Sequence, residues 1–337
     1  MKKNKLVFFT LLIAFLILCF GTVKLNNLHA TNDLPKLESI ALDKTGSNGK
    51  LAELTLKTNP PQMPQSMKVY KVINPELQLA DIRETANKLK INSNVEERNI
   101  DFRVFSADGD YIVDRSTGSF SYMTQDFTMN TDPISILNNK EYVNLAKNFL
   151  QEKGLFKEEA FFKSINEHTV TSKVYGKEVT KPFMVEVMFS RNLNNYTWTG
   201  VGPKISVYFG DHGKVIGAAS VWRDVEEFED YPLISPQQAI KQIEKGNATV
   251  FLENVYEATG EIENIELIYL NKPLGYEQKY VIPHYMFQGH TSTGHKFKTI
   301  TCAVPQRYIT EIPHKDNKVE STPRMERKLT PDDPDEY

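Results

Sequence analysis

From Leu6 to Val23 the chain carries no charge and is almost wholly apolar; beyond that run the pattern changes to short alternating stretches. The 18 residues of the run, at about 1.5 Å each in a helix, reach roughly 27 Å, close to the thickness of a bilayer core. Lys2, Lys3 and Lys5 precede it. This predicts a single anchor, with residues 1–5 in the cytoplasm and the C-terminal body outside the membrane. The competing reading is a secretory leader cleaved after Ala30, in "LHA"; the apolar core of such a leader normally spans about 7–15 residues. Lipidation at Cys19 would ask for a small residue where Leu18 stands.

Residues 24–66 read as a linker, because "DKTGSNGK" and "NPPQMPQSM" are rich in turn formers and lack sustained periodicity. A short strand is expected at "LAELTL" and a longer one over Met67–Ile73. Leu79, Ile82, Ala86 and Leu89 then recur at helical spacing, with Pro75 suited to a first turn. Alternation at Phe102 and Val104, and again at Tyr111 and Val113, flanks the turn signal Asp108-Gly109. With Thr117-Gly118 and "SFSYM" this predicts a three-stranded meander. A helix follows, with Tyr142, Leu145, Ala146, Phe149 and Leu150 on one face and Gly154 at its end.

The same order recurs. "TSKVYG", "KPFMVEVMFSRNLN" and "PKISVYFGDHGKVIGAASVWRDV" read as strands, with Asp211-His212-Gly213 as the hairpin turn. "SPQQAIKQIEKG" reads as a helix capped by Ser235, with Pro236 in the first turn and Gly246 as the stop. "IENIELIYL", "QKYVIPHYMFQGH" and "HKFKTITCAVP" form a third set of strands without a following helix. The expected fold is α+β: an N-terminal membrane helix, then tandem units of antiparallel sheet packed with a helix. The units span 67–160 and 161–313, and the charged, proline-rich tail 314–337 is expected to be disordered.

Composition narrows the function. Charged residues at 25% and apolar residues at 40% fit a folded body rather than a disordered chain. Setting aside the lysines of the first 24 residues, the body carries a net charge of −7, which argues against a nucleic-acid partner. Cys302 is the one cysteine of the body, so no internal disulfide holds it and core packing must. Its setting, "TITCAVP", is that of a small buried apolar residue.

Candidate chemistry is sparse. The sequence has no GxxxxGK[ST], GxGxxG or GxSxG motif, and no carboxylate pair stands out as acid and base. His290 and His295 flank a Thr-Gly turn, with His284 in the same strand region. Zinc wants three or four ligands in tetrahedral array, and no neighbouring Cys, Asp or Glu completes the set. No cofactor or metal is expected. Asp224, Glu226, Glu227, Glu229 and Asp230 crowd into seven positions without EF-hand spacing. They read as a solvated strand end or loop before a helix, or as a docking patch for a basic partner. Tyr196 and Trp198, in "NNYTWTGVGP", could present an aromatic surface to a partner or close a sheet end. Trp222, after "AAS", reads as core.

The stretch "GPKISVYFGDHGKVIGAASVWRDVE", followed by "PLISPQQAIKQI", resembles the extracytoplasmic modules of the PepSY-like group. It is most similar to the YycI/YycH-type two-component-system regulatory proteins of Gram-positive bacteria. "LGYEQKYVIPHYMFQG" resembles the strand that follows in that group, and "STGSFSYM" resembles the strand–glycine–strand units of YpeB-like proteins. The resemblance covers about residues 200–305 and, more loosely, 67–155. It implies a membrane-tethered regulator acting by protein contact on a sensor kinase or a secreted peptidase, with no catalytic residues. The expected function is therefore a membrane-anchored binding protein and not an enzyme. An envelope enzyme or metal-dependent hydrolase, and a secreted or cell-wall structural protein, are the alternatives.

Overall fold

The structure, a computed structural model, describes residues 34–40, 49–57, 59–129, 132–175, 177–200, 202–252, 257–272 and 278–312. The expected anchor at 6–23, Cys19, the cleavage point after Ala30 and the tail from 314 lie outside these residues. Among the described residues no helix is long and apolar enough to cross a membrane.

The protein is α+β, mostly strands with few helices. In chain order the elements begin with β1 (Leu37–Ile40), β2 (Lys50–Leu56), β3 (Ser66–Ile73) and α1 (Leu79–Lys88). Next come β4 (Glu96–Glu97), β5 (Asp101–Ser106), β6 (Gly109–Asp114), β7 (Phe120–Thr124), α2 (Gln125–Met129) and α3 (Asn139–Lys153). The middle of the chain holds β8 (Phe161–Val174), β9 (Lys177–Ser190), β10 (Asn192–Leu193), β11 (Tyr196–Gly200), β12 (Lys204–Phe209), β13 (Val215–Val221) and β14 (Asp224–Pro232). It closes with α4 (Pro236–Glu244), β15 (Thr249–Leu252), β16 (Glu257–Asn271), β17 (Tyr280–Val281), β18 (Pro283–Thr291), β19 (Lys296–Cys302) and β20 (Ile309–Ile312).

The larger sheet is antiparallel throughout, in the order β4-β5-β6-β7-β13-β12-β9-β8. Alternation decides its faces. Phe102, Val104, Tyr111, Val113, Val185, Val187, Phe189, Ile205, Val207 and Phe209 all point to one side, where Ile82 and Ala86 of α1 and Tyr142, Ala146 and Leu150 of α3 meet them. Both helices lie where the sequence placed them. The Asn138 side chain accepts from the Glu141 N–H, and Glu141 accepts in return from the Asn138 N–H, while Gly154 ends the helix at φ 72°. Strands from both sides of residue 160 share this sheet, because β13 pairs with β7 through Gly217↔Met123, Ala218↔Tyr122 and Ala219↔Ser121.

The second sheet has seven strands. β16 is its spine: antiparallel to β18, and parallel to β2 at one end and β11 at the other. It is mixed, where the sequence suggested antiparallel pairing alone. α4 covers it, seating Ala239, Ile240 and Ile243 against Leu51, Val250, Tyr285, Phe287 and Phe297. Ser235 and Gln238 form its capping box and Pro236 opens it. The helix expected to close the second set of strands thus backs the third.

A three-stranded ribbon, β14-β3-β17, runs beside these sheets, and β1 pairs in parallel with β20. Leu37, Val69, Tyr231, Ile282, Val304 and Tyr308 form its small core. The Tyr231 hydroxyl donates to the Pro35 carbonyl at 2.6 Å and so ties the ribbon to the entry of β1.

Candidate interaction surface

The acidic run is a strand rather than a loop. Asp224, Glu226, Glu227, Glu229 and Asp230 all lie on β14, which pairs antiparallel with β3 through Asp224↔Ile73, Glu226↔Lys71 and Asp230↔Lys68. A register shift between Glu227 and Asp230 bends the strand. Three of the acids find cations. The Lys68 ammonium donates to Asp230 at 2.9 Å, Lys157 donates to Asp224 at 3.2 Å, and Lys71 lies 3.6 Å from Glu226. The hydrogen bond to Asp230 raises the Lys68 pKa above the usual lysine range. Glu227 and Glu229 are exposed and have no ion-pair partner among the described residues.

β14 is also the outer strand of its ribbon. The Val72 N–H donates to Lys279 O, on the β17 side. Antiparallel ladders alternate, so Lys71 and Ile73 turn their backbone groups toward β14, and their partners Glu226 and Asp224 turn theirs toward β3. Val225 and Glu227 consequently direct N–H and C=O outward. Pro232 ends the strand and brings no N–H. Lysines 68, 71 and 157, which answer the acids, were missed in the sequence. Alternation along "MKVYK" marks a strand but not the strand it faces.

The two aromatic candidates part company. "NNYTWTG" is a tight hairpin, with Asn194 and Asn195 at φ 47° and 66° joining β10 to β11. Tyr196 is half-buried, its ring edge-on to Tyr269 at 6.4 Å. Trp198 is 1% exposed and offers no surface to a partner. Parallel pairing of β11 with β16, Trp198↔Tyr269, turns the indole inward. There the Arg191 guanidinium lies 4.5 Å from the Trp198 ring centre and 4.7 Å from that of Trp222. Arg191 donates to Glu159 at 2.6 Å and to the Arg223 carbonyl at 2.7 Å. Burial lowers the Arg191 pKa, against the pull of Glu159. Trp222 is core, as its sequence setting suggested. The knot ties the ends of β9 and β13 to β11. Nothing in the spacing of Arg191, Trp198 and Trp222 announces it.

The histidines do not converge. His284 is buried, its Nδ1 2.8 Å from the Ile282 carbonyl, and burial lowers its pKa to about 4. His290 lies on the outer face of the second sheet, its Nδ1 3.0 Å from Glu263. His290 borders an open groove of about 500 Å³ together with Phe251, Gln288 and Lys298. Among the described residues no three His, Cys, Asp or Glu side chains gather into a group that could hold a metal ion. Cys302 is a free thiol beside the Val304 carbonyl, and burial raises its pKa to about 11. That is the reverse of what a nucleophilic thiolate needs.

No family model matches the chain, and no curated protein matches it significantly. Among solved structures it is similar to an uncharacterized protein from Eubacterium rectale, at 11% identity and a TM-score of 0.41, over 72% of this chain and 84% of that one.

Proposed function

We propose that the chain is a membrane-tethered extracytoplasmic regulator that works by touching another envelope protein, such as a sensor kinase or a secreted peptidase, and turns over no substrate. Leu6–Val23 would hold the body just outside the bilayer. The residues that resemble PepSY-like and YycI/YycH-type modules occupy β12, the turn at Asp211–Gly213, β13 and the start of α4. That strand–turn–strand followed by a Ser/Pro-capped helix supports the reading.

The observation that carries the proposal is β14. It sets five carboxylates along the open edge of a sheet, where only one side of the strand has a pairing partner among the described residues. Photo-crosslinkers placed one at a time at Tyr196, Glu227 and Glu229 in intact cells test it. Capture of one and the same envelope protein from the β14 positions is the expected result. Absence of any captured protein from all three positions overturns the contact reading. Protease added outside wall-stripped cells should digest the body and leave a membrane stub; full protection contradicts the orientation.

A further inference from the structure

We propose that β14 receives a lysine-rich, extended segment of the partner as an added strand along Val225–Asp230. The inference rests on the contact reading above and narrows it to one edge and one partner chemistry.

Two independent features of β14 coincide. One is backbone: Val225 and Glu227 direct N–H and C=O groups away from β3, on the side where no strand pairs among the described residues. An extended peptide can pair with such an edge through main-chain hydrogen bonds, while side chains set the selectivity. The other is charge: Glu227 and Glu229 stand exposed without an ion-pair partner among the described residues, beside three acids already matched by lysines.

The protein contains a template for the occupant. β3, "SMKVYKVI", is a basic strand that already pairs with β14, with Lys68 on Asp230 and Lys71 beside Glu226. The open side would take a strand of similar character. A second copy of β14 is excluded as occupant, because antiparallel self-pairing sets acid against acid, and like charges directly opposite destabilise a sheet. The charges that prevent self-association therefore admit a basic strand. Pro232 limits the ladder at one end, so the paired segment is short. The outer edge of the larger sheet differs in charge. Like β14, with its shift between Glu227 and Asp230, β8 has an irregular register, at Phe162/Ser164 and His168/Thr169, but it carries Lys163 and Lys173, which would repel a basic strand.

The test titrates the full-length chain with a fluorescein-labelled, end-blocked peptide of the β3 sequence, SMKVYKVI, and with the same peptide carrying glutamate in place of both lysines. Saturable binding of the lysine peptide, weakened by salt, and at least about tenfold weaker binding of the glutamate peptide are expected. Two variants separate the causes. Glu227→Lys with Glu229→Lys reverses charge at exposed positions and should weaken binding about tenfold. Glu227→Pro removes one outward N–H that no described residue uses and should weaken binding to a similar extent. Loss with the lysine variants but not with Glu227→Pro overturns strand addition and leaves only a charged patch. Binding unchanged in both variants overturns the site. If the same partner is still captured, through the crosslinker at Tyr196, by the double lysine variant, this edge is wrong while the contact reading stands; if no partner is captured at all, the contact reading itself fails.

Discussion

Arg191 meets Glu159 at 2.6 Å between two tryptophan rings, its side chain 5% exposed. Lys68 meets Asp230 at 2.9 Å on the rim of the ribbon, with the carboxylate 59% exposed. On paper both are ion pairs. In the first, the guanidinium also fills space, stacks on indole faces and satisfies the Arg223 carbonyl, so its loss removes packing and hydrogen bonds together. In the second, water screens both charges and stands ready to replace either one. The buried knot therefore serves the fold, while the exposed ribbon is free to serve recognition.

That contrast can be broken in order of expected effect. Arg191→Ala should cost the most, about 3 kcal/mol, because it empties a large volume between the indoles and strands a buried carbonyl. Chemical denaturation measures it, and a loss below about 1 kcal/mol would show that the stack does not hold β9, β11 and β13 together. Next comes acid. His284 is neutral when folded, with its pKa lowered to about 4 by burial, whereas in the unfolded chain it titrates near the ordinary histidine value of 6.5. Between those two values the unfolded state binds the extra proton, so stability falls as pH drops through that window and is unaffected above it. The full fall amounts to about 3 kcal/mol. Melting curves from pH 7 to 4 should show this fall, and His284→Asn should flatten it.

Smaller effects belong to the ribbon. Lys68→Ala should cost under about 1 kcal/mol, as an exposed pair does, and the cost should shrink further in high salt. A larger, salt-independent loss would place Lys68 with the structural charges. The double lysine variant at Glu227 and Glu229 should change stability by no more than about 0.5 kcal/mol, as surface substitutions do. If instead it unfolds the ribbon, the acids hold the strand and do not wait for a partner.

Much of the element map could be read in the residues. The capping boxes at Asn138 and Ser235, the stop at Gly154 and the period-two runs through Val185–Phe189 and Ile205–Phe209 each name a local structure within a few residues. The candidate surface was legible in part. The five acids were visible, but their placement on an edge strand facing β3 was not, since β3 and β14 are joined by pairings about 150 residues apart, such as Glu226↔Lys71. Trp198 shows the same limit. Its setting left open a surface for a partner or the closing of a sheet end, and the parallel pairing with Tyr269 decided for the buried alternative.

What the sequence alone determined is local: which stretches extend, which coil, where each helix begins and which side of every strand is greasy. These follow from backbone sterics, capping and side-chain period, all acting over a few neighbouring residues. The tertiary structure decided which strand lies beside which: β13 on β7, α4 on the sheet that follows it, β14 on β3 with no other described strand beyond it. An alternating strand fits any sheet with a complementary apolar face, so only the packing of the whole chain selects its neighbour.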